Sequence, residues 1–481
     1  MHNLADIQPP IALGPLDGRY HSVTAPLVNY LSEAALNRAR ITVEVEWLVF
    51  LLDRGVLAGA PSLSDAEVKY LRSVPENFGA QDVAELAQIE AETKHDVKAV
   101  EYYLKRRLDS APNAQVDGTA LGEQTALTQL HEIVHILCTS EDINNLAYAL
   151  MVRDAVYDVW LPSARAFVDQ LKELATEHAD QPMLSHTHGQ TATPTTLGKE
   201  IAVFAHRLTR QLRAVERAEY LGKINGATGT YGAHTAAVPG ADWITLSHDF
   251  VEGLGLTWNP LTTQIESHDW MAELFNAVAR FNRIAHNLAT DFWTYISMGY
   301  FHQNLAAQGS TGSSTMPHKV NPIRFENAEA NLEMSCAVLD TLSATLITSR
   351  MQRDLTDSTT QRNIGVAFGH SLLALANLRR GVAGLDVNKE RLAEDLDNAW
   401  EVLGEPIQQA MRAASIAGAT GMANPYERLK ELTRGHRVSA SDMQDFIRSL
   451  GMPGELEVRL LELSPASYTG LASQLVQFIE E

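Results

Sequence analysis

The segment Gly309-Ser-Thr-Gly-Ser-Ser-Thr-Met-Pro-His-Lys-Val-Asn-Pro322 concentrates groups that can do chemistry. Ser310, Thr311, Ser313, Ser314 and Thr315 supply hydroxyls and amides, and Gly309 and Gly312 permit unusual backbone angles, which suits a mobile flap over a polar ligand. Lys319 and Asn321 then add a cation and an amide just before a helix, both able to hold developing negative charge. A Gly/Ser stretch alone would fit a solvated connector equally well. The compact combination Gly312-Ser-Ser-x-Met-Pro-x-Lys-x-Asn-Pro322 weighs against that plain reading.

A second pattern, His131-Glu-Ile-Val-His135, matches H-E-x-x-H, in which two histidines one helical turn apart bind zinc and the glutamate acts as base. It lacks a third ligand in any extended pattern nearby. It is therefore read as a chance arrangement on one amphipathic helix, with His135 facing the interior or a cleft, and neither a metal nor another cofactor is expected.

Long helices must position these groups. Gly and Pro are both absent between Gly122 and Pro162, Gly198 and Gly222, Pro260 and Gly299, and Pro322 and Gly365, gaps of 39, 23, 38 and 42 residues. A helix filling the last would be about 63 Å long. Within the third, Trp270, Leu274, Val278, Phe281, Ala285, Leu288, Phe292 and Tyr295 recur at steps of three and four, with Glu273, Arg280 and Arg283 between them. That is a helical stripe, and strand alternation is scarce. Helices this long bury their apolar faces best side by side, so the fold expected is all-α, with faces shared between subunits. Three helical regions are expected: 1–111, a central long-helix bundle over 112–364 that carries the loop, and 365–481. The first boundary follows the turn-rich Leu108-Asp-Ser-Ala-Pro-Asn-Ala-Gln-Val-Asp-Gly118.

Composition narrows the partners. The 481 residues carry 38 Lys+Arg against 59 Asp+Glu, a net charge of −21, which argues against nucleic acid or an anionic membrane as the main partner. An anionic ligand must instead be met by a few placed cations. Apolar runs such as Trp47-Leu-Val-Phe-Leu-Leu52 are too short to span a bilayer, and Met1-His-Asn-Leu-Ala-Asp has neither the basic nor the apolar region of a secretory signal. Two cysteines, Cys138 and Cys336, read as sitting in apolar helices, fit a reducing compartment, so a cytoplasmic location is expected.

Residues 312–322 resemble the signature of the aspartase/fumarase superfamily, whose members release fumarate. Within it the chain resembles the adenylosuccinate lyases of the longer bacterial type over nearly its whole length. The likeness is carried by Asp17-Gly-Arg-Tyr20, Lys94-His-Asp-Val-Lys-Ala-Val-Glu-Tyr102, Cys138-Thr-Ser-Glu-Asp-Ile-Asn-Asn145, Thr187-His-Gly-Gln190, Gly222-Lys-Ile-Asn-Gly226, Trp258-Asn-Pro260, Thr263-Gln264 and Gln352-Arg-Asp-Leu-Thr-Asp-Ser358. It extends to Pro425-Tyr426 and Leu429-Lys-Glu-Leu-Thr-Arg-Gly435. The resemblance implies a three-domain all-α homotetramer whose active sites draw on several subunits. It implies elimination of fumarate from adenylosuccinate, giving AMP, and from the succinyl-carboxamide imidazole ribotide SAICAR, giving AICAR, in purine biosynthesis.

It also implies residue roles. Ser313 is expected as base and His188 as acid, with Lys319 and Asn321 holding the carbanion's charge and Glu326 pairing with the acid histidine. His95 is expected to contact substrate and help orient the acid. Arg19, Tyr20, Lys94, Asp96, Thr139, Ser140, Gln264, Ser314, Met316, Arg353, Ser358 and Arg362 complete the implied substrate set. Arginine suits phosphate and carboxylate through bidentate hydrogen bonds. His186, beside His188 but outside the motif, reads as structural. Two departures from the family pattern stand out. Lys94 replaces a neutral polar residue common in the subgroup, and Thr191 follows Gln190 where proline is common.

Overall fold

The computed structural model describes residues 12–304, 316, 319–433 and 438–480. Helices dominate, and the strands are short pairs of two or three residues each, so the fold is all-α as expected. Among the described residues no helix is long and apolar enough to cross a membrane. By contacts the chain divides into two units, one built from 1–163, 213–282 and 331–373, the other from 164–212, 283–330 and 374–481.

The first unit holds the helices His21–Leu31, Glu33–Asp53, Asp65–Glu76, Ala80–Thr93, Asp96–Ser110 and Ser140–Ala155. Their starts are written in the sequence. Ser32 accepts from the Ala35 amide, and Ser64 and Glu67 form a reciprocal capping box. Ile41, Val45 and Leu48 then line one helix face and pack with Leu71, Leu86, Val100 and Leu104 in one buried cluster. Each such side chain contributes roughly 1.5–3 kcal/mol by leaving water. A polar chain threads another part of this unit's interior. Trp160 donates to Ser371, Ser371 to Asn282, Asn282 to Ser335, and Ser335 to the Ala367 carbonyl, over 2.7–3.0 Å. Because every buried donor in it has a partner, this chain fixes the mutual register of the helices it joins.

In the second unit, Phe292 packs against Phe301 and Phe325, with centroids 5.3 and 5.9 Å apart, and strand Phe301–Gln303 pairs antiparallel with Leu385–Val387. Gly198 is required by a close approach, since a Cβ there would lie 2.3 Å from the Ala175 carbonyl oxygen. Helices Gly404–Ile416, Ala440–Ser449 and Gly454–Leu461 share a cluster around Leu403, Ile407, Met411, Met443, Ile447 and Leu460.

The stripe read in the third gap is the single helix Asp269–Ser297. Two other gaps are corrected. In the first, a 3₁₀ turn at Ala126–Gln129 is followed by turns over 131–137 and α-helix begins only at Ser140, so His131-Glu-Ile-Val-His135 is not helical and Cys138 precedes the helix rather than lying in it. Carboxylates from distant helices claim the local donors: Glu67 accepts from the Thr125 hydroxyl and the Ala126 amide, each at 2.7 Å, and Glu44 accepts from the His135 amide at 3.1 Å. Backbone groups satisfied from outside need no i−4 partner. The last gap likewise breaks into Ile323–Leu346 and Thr356–Gln361, between which Asp354 accepts from the amides of Arg350 and Thr356, and the next helix, Ile364–Ala383, starts at its end.

Candidate active site

Most of the expected substrate set lies in the first unit. Helix Asp96–Ser110 begins with His95, whose Nδ1 accepts from the Lys98 amide at 3.2 Å. An accepting Nδ1 places the neutral ring's proton on Nε2, on a side chain that is half exposed. Lys94, just before it, is exposed and held at φ +55 as the C-cap of the preceding helix. Asp96 Oδ2 accepts from Arg40 Nη2 at 2.7 Å and from Arg362 Nη2 at 3.0 Å. Burial would raise the Asp96 carboxyl, but the Arg40 charge, the Val97 amide and Arg362 outweigh it and hold it below the usual carboxylate range.

Arg353 gathers a second group: Gln264 Oε1 at 3.2 Å, Ser358 Oγ at 3.2 Å and Glu141 Oε1 at 2.9 Å. Gln264 is itself anchored through Nε2 to the Ala227 carbonyl at 2.9 Å. Behind Ser358, the buried Asp357 meets His268 Nε2 at 3.4 Å, and the His268 amide donates to Glu266 at 2.8 Å. Burial pushes the Asp357 carboxyl up, yet the His268 bond and charge bring it below its ordinary value. Thr139 and Ser140 sit half-buried at the start of helix Ser140–Ala155. Their backbone is fixed by Asp142, which accepts from the Thr139, Asn225 and Gly226 amides and from fully buried Lys223 at 2.8 Å. Arg19 is exposed, with its guanidinium 5.7 Å from the Tyr20 ring centre.

His188 belongs to the second unit. It occupies the tip of a two-residue hairpin in which His186 pairs with Thr191 and Thr187 with Gln190. His188 and Gly189 both have positive φ, +53 and +73, the pattern of a type I′ turn, which matches the strand twist and projects the imidazole outward. His188 is exposed, and so is His186. Lys319 is exposed and Asn321 half-buried ahead of helix Ile323–Leu346; the Lys319 amide donates to the Met316 carbonyl at 2.9 Å. Gln303 braces this approach through the Val320 carbonyl at 2.9 Å. Met316 is 45% exposed. Glu326 lies in the first helical turn and accepts from Trp293 Nε1 at 3.1 Å; no hydrogen bond joins it to His188 among the described residues of this chain. Ser313 and Ser314 lie outside the described residues.

The structure thus brings Gln264, Arg353 and Ser358 together and joins Asp96 to Arg362. It adds residues that sequence reasoning did not single out: Arg40, Glu141, Asn144, Asp357 and His268. Arg40 left a signal, since it follows Leu36 and precedes Val43 and Trp47 at helical steps, a charge on an otherwise apolar face. Among the described residues no group of three or more potential ligands could hold a metal. His131 instead meets Asp109 at 2.7 Å and His135 meets Glu44 at 2.5 Å, two partners on separate elements.

The chemistry available is recognition of anions by anchored arginines in the first unit, and an exposed imidazole and an exposed lysine in the second. Comparison with known proteins extends this. Residues 18–339 match a family model described as lyase, and residues 349–469 one described as adenylosuccinate lyase C-terminal. The adenylosuccinate lyase of Escherichia coli K12 is 47% identical over 465 residues, covering 97% of this chain and 98% of that protein. That of Haemophilus influenzae is 46% identical, with 97% and 98% covered. Among solved structures, a fumarate lyase from Mesorhizobium sp. BNC1 aligns with a TM-score of 0.72 at 17% identity, over 95% of this chain and 97% of that one. The 3-carboxy-cis,cis-muconate lactonizing enzyme of Pseudomonas putida aligns at 0.67 and 20% identity, over 94% and 97%.

Proposed function

Because the chain belongs to the adenylosuccinate lyases of the fumarase/aspartase superfamily, we propose that it eliminates fumarate from adenylosuccinate to give AMP, and from SAICAR to give AICAR. The observation that carries this reading is the anchored pair Arg353 and Arg362 in a chain of net charge −21. A substrate with one phosphate and two carboxylates needs such a local cluster, and forked guanidinium donors fit both groups.

In the proposed reaction Ser313 takes the proton beside the substrate carboxylate, the electron pair left behind forms the new carbon–carbon double bond, and the carbon–nitrogen bond breaks. His188 protonates the departing nitrogen, so fumarate and the amine product leave with charge and protons balanced. Lys319 and Asn321 hold the negative charge that develops on the carboxylate, and loop closure excludes water so that a serine alkoxide is stabilised. Thr139, Ser140 and Gln264 face the succinyl end; Arg19, Tyr20, Lys94, His95, Asp96, Ser358 and Arg362 complete substrate binding, with Ser314 and Met316 on the loop. Glu326 pairs with a His188 supplied by another subunit of a homotetramer, which would favour the protonated imidazole. The regions 1–111, 112–364 and 365–481 serve as its three domains, and the enzyme works in the cytoplasm.

An ultraviolet assay of the purified protein tests this with adenylosuccinate, and with argininosuccinate and malate in parallel. Selective formation of AMP and fumarate is expected. Turnover of either alternative substrate without adenylosuccinate would overturn the proposal.

A further inference from the structure

A closed circuit of hydrogen bonds and one ion pair runs through the first unit. Arg353 Nη2 forms an ion pair with Glu141 Oε1 at 2.9 Å, and that oxygen accepts from Asn144 Nδ2 at 2.8 Å. Asn144 Oδ1 accepts from Arg40 Nε at 2.9 Å; Arg40 Nη2 donates to Asp96 Oδ2 at 2.7 Å, and Arg362 Nη2 donates to the same oxygen at 3.0 Å. Ser358 closes the circuit, its hydroxyl accepting from Arg353 at 3.2 Å and its carbonyl from Arg362 Nη1 at 2.9 Å.

The two sides of this circuit differ in access. Arg40, Glu141 and Asn144 are only 1%, 1% and 7% exposed, so none of them can meet a ligand, whereas Arg353 is half-buried and Arg362 exposed. A buried arginine and a buried glutamate that do not touch each other are a costly way to stabilise a fold, and apolar residues of similar size would serve better. Orientation explains them. Glu141 pairs with one guanidinium, Arg40 fixes Asp96, which together with Glu33 holds the other, and Asn144 joins the two sides because its amide both donates and accepts.

We propose that Arg40, Asn144 and Glu141 are positioning residues that set Arg353 and Arg362 as one preorganised pair of anion-binding arms. The inference rests on the reading above that these two arginines hold the substrate. Preorganisation lowers the ordering cost of binding, so damage to the relay appears mainly as weaker substrate binding.

A double-mutant cycle tests it on the full-length enzyme. Arg40→Lys keeps the charge but loses the fork that spans Asn144 and Asp96, and it should raise KM about tenfold while kcat changes less than about threefold. Arg353→Lys should raise KM about as much or more. If the relay transmits, the double variant resembles the worse single variant rather than the product of both, and Asn144→Leu alone reproduces Arg40→Lys. Effects that multiply in an active enzyme overturn the proposal, as does an Asn144→Leu enzyme with unchanged KM. Should Arg40→Lys fail to assemble, Asn144→Leu with Arg353→Lys forms the same cycle. Wild-type protein that converts no adenylosuccinate refutes the activity instead; the cycle is then read in AMP binding by calorimetry, where non-additive losses sustain the relay and additive ones overturn it.

Discussion

Arg353 commits its donors to Gln264, Ser358 and Glu141, and Asp96 receives two arginines, whereas His188 stands exposed at a hairpin tip and Lys319 is exposed ahead of its helix. The first unit therefore holds its proposed binding groups rigid, and in the second no hydrogen bond to the His188 side chain is found among the described residues. Physical chemistry favours that split. A phosphate or carboxylate arrives with fixed geometry, so arginines set in advance avoid ordering costs. An acid that must give up a proton works best when its final hydrogen bonds form around the reacting atoms, not before. In the homotetramer proposed above, an exposed His188 would be open to pairing with a Glu326 of another subunit.

The largest effect should come from the His188 side. His188→Ala is expected to lower turnover by roughly 10²–10⁴-fold with the helical circular dichroism unchanged, since the side chain packs against little, and Ser313→Ala should do comparable damage. Near-normal activity in either would break the assignment of the proton-transfer groups. Next comes a mixing experiment: His188→Ala and Arg353→Ala, each nearly inactive alone, are combined and exchanged. If each site takes its arginines from one subunit and its acid from another, roughly one site in four regains both. Verified exchange without recovery would mean that each chain completes its own site.

The sequence made the helical class legible wherever one periodic stripe decided the matter, as over Asp269–Ser297. It failed where a distant side chain intervened. Nothing between Gly122 and Ser140 forbids a helix locally, yet Glu67 and Glu44, far upstream, capture the donors of Thr125, Ala126 and His135. Absence of Gly and Pro records what the backbone can do, not which competing acceptor wins. The site shows the same limit. Arg353, Ser358 and Gln264 could be named from the motifs that carry the family likeness, but the carboxylate orienting Arg353 lies inside the Thr139–Asn145 segment, where a glutamate in a helix's first turn has an ordinary explanation.

A smaller effect tests how rigid the first unit is. Arg353→Lys preserves charge but replaces a planar fork meeting Gln264, Ser358, Glu141 and the Asp354 carbonyl with a point charge, and KM should rise about tenfold or more with kcat less affected. A variant with wild-type KM would show that charge alone, not held geometry, recruits the substrate, and the contrast between the units would dissolve.

The smallest effect concerns the support behind Thr139. His135, at φ +62, meets Glu44 at 2.5 Å; burial lowers the affinity of its ring for a proton, but the Glu44 bond and charge, with Glu101 and Asp142, outweigh this and raise its pKa above the ordinary value. A folded-state value above the unfolded one gives a contribution fully present below the unfolded pKa of about 6.5 and lost as pH rises through the folded value. His135→Gln should therefore destabilise the protein more at pH 6 than at pH 9 in denaturant titrations, because the substitution removes an interaction that the wild type itself loses at high pH. Because His135 supports the scaffold without being placed in the binding circuit, KM at neutral pH should move little. A stability difference independent of pH would mean that the pair is neutral throughout, and a large rise in KM would extend the rigid, ligand-positioning region of the first unit from the arginine circuit back to the Glu44 helix.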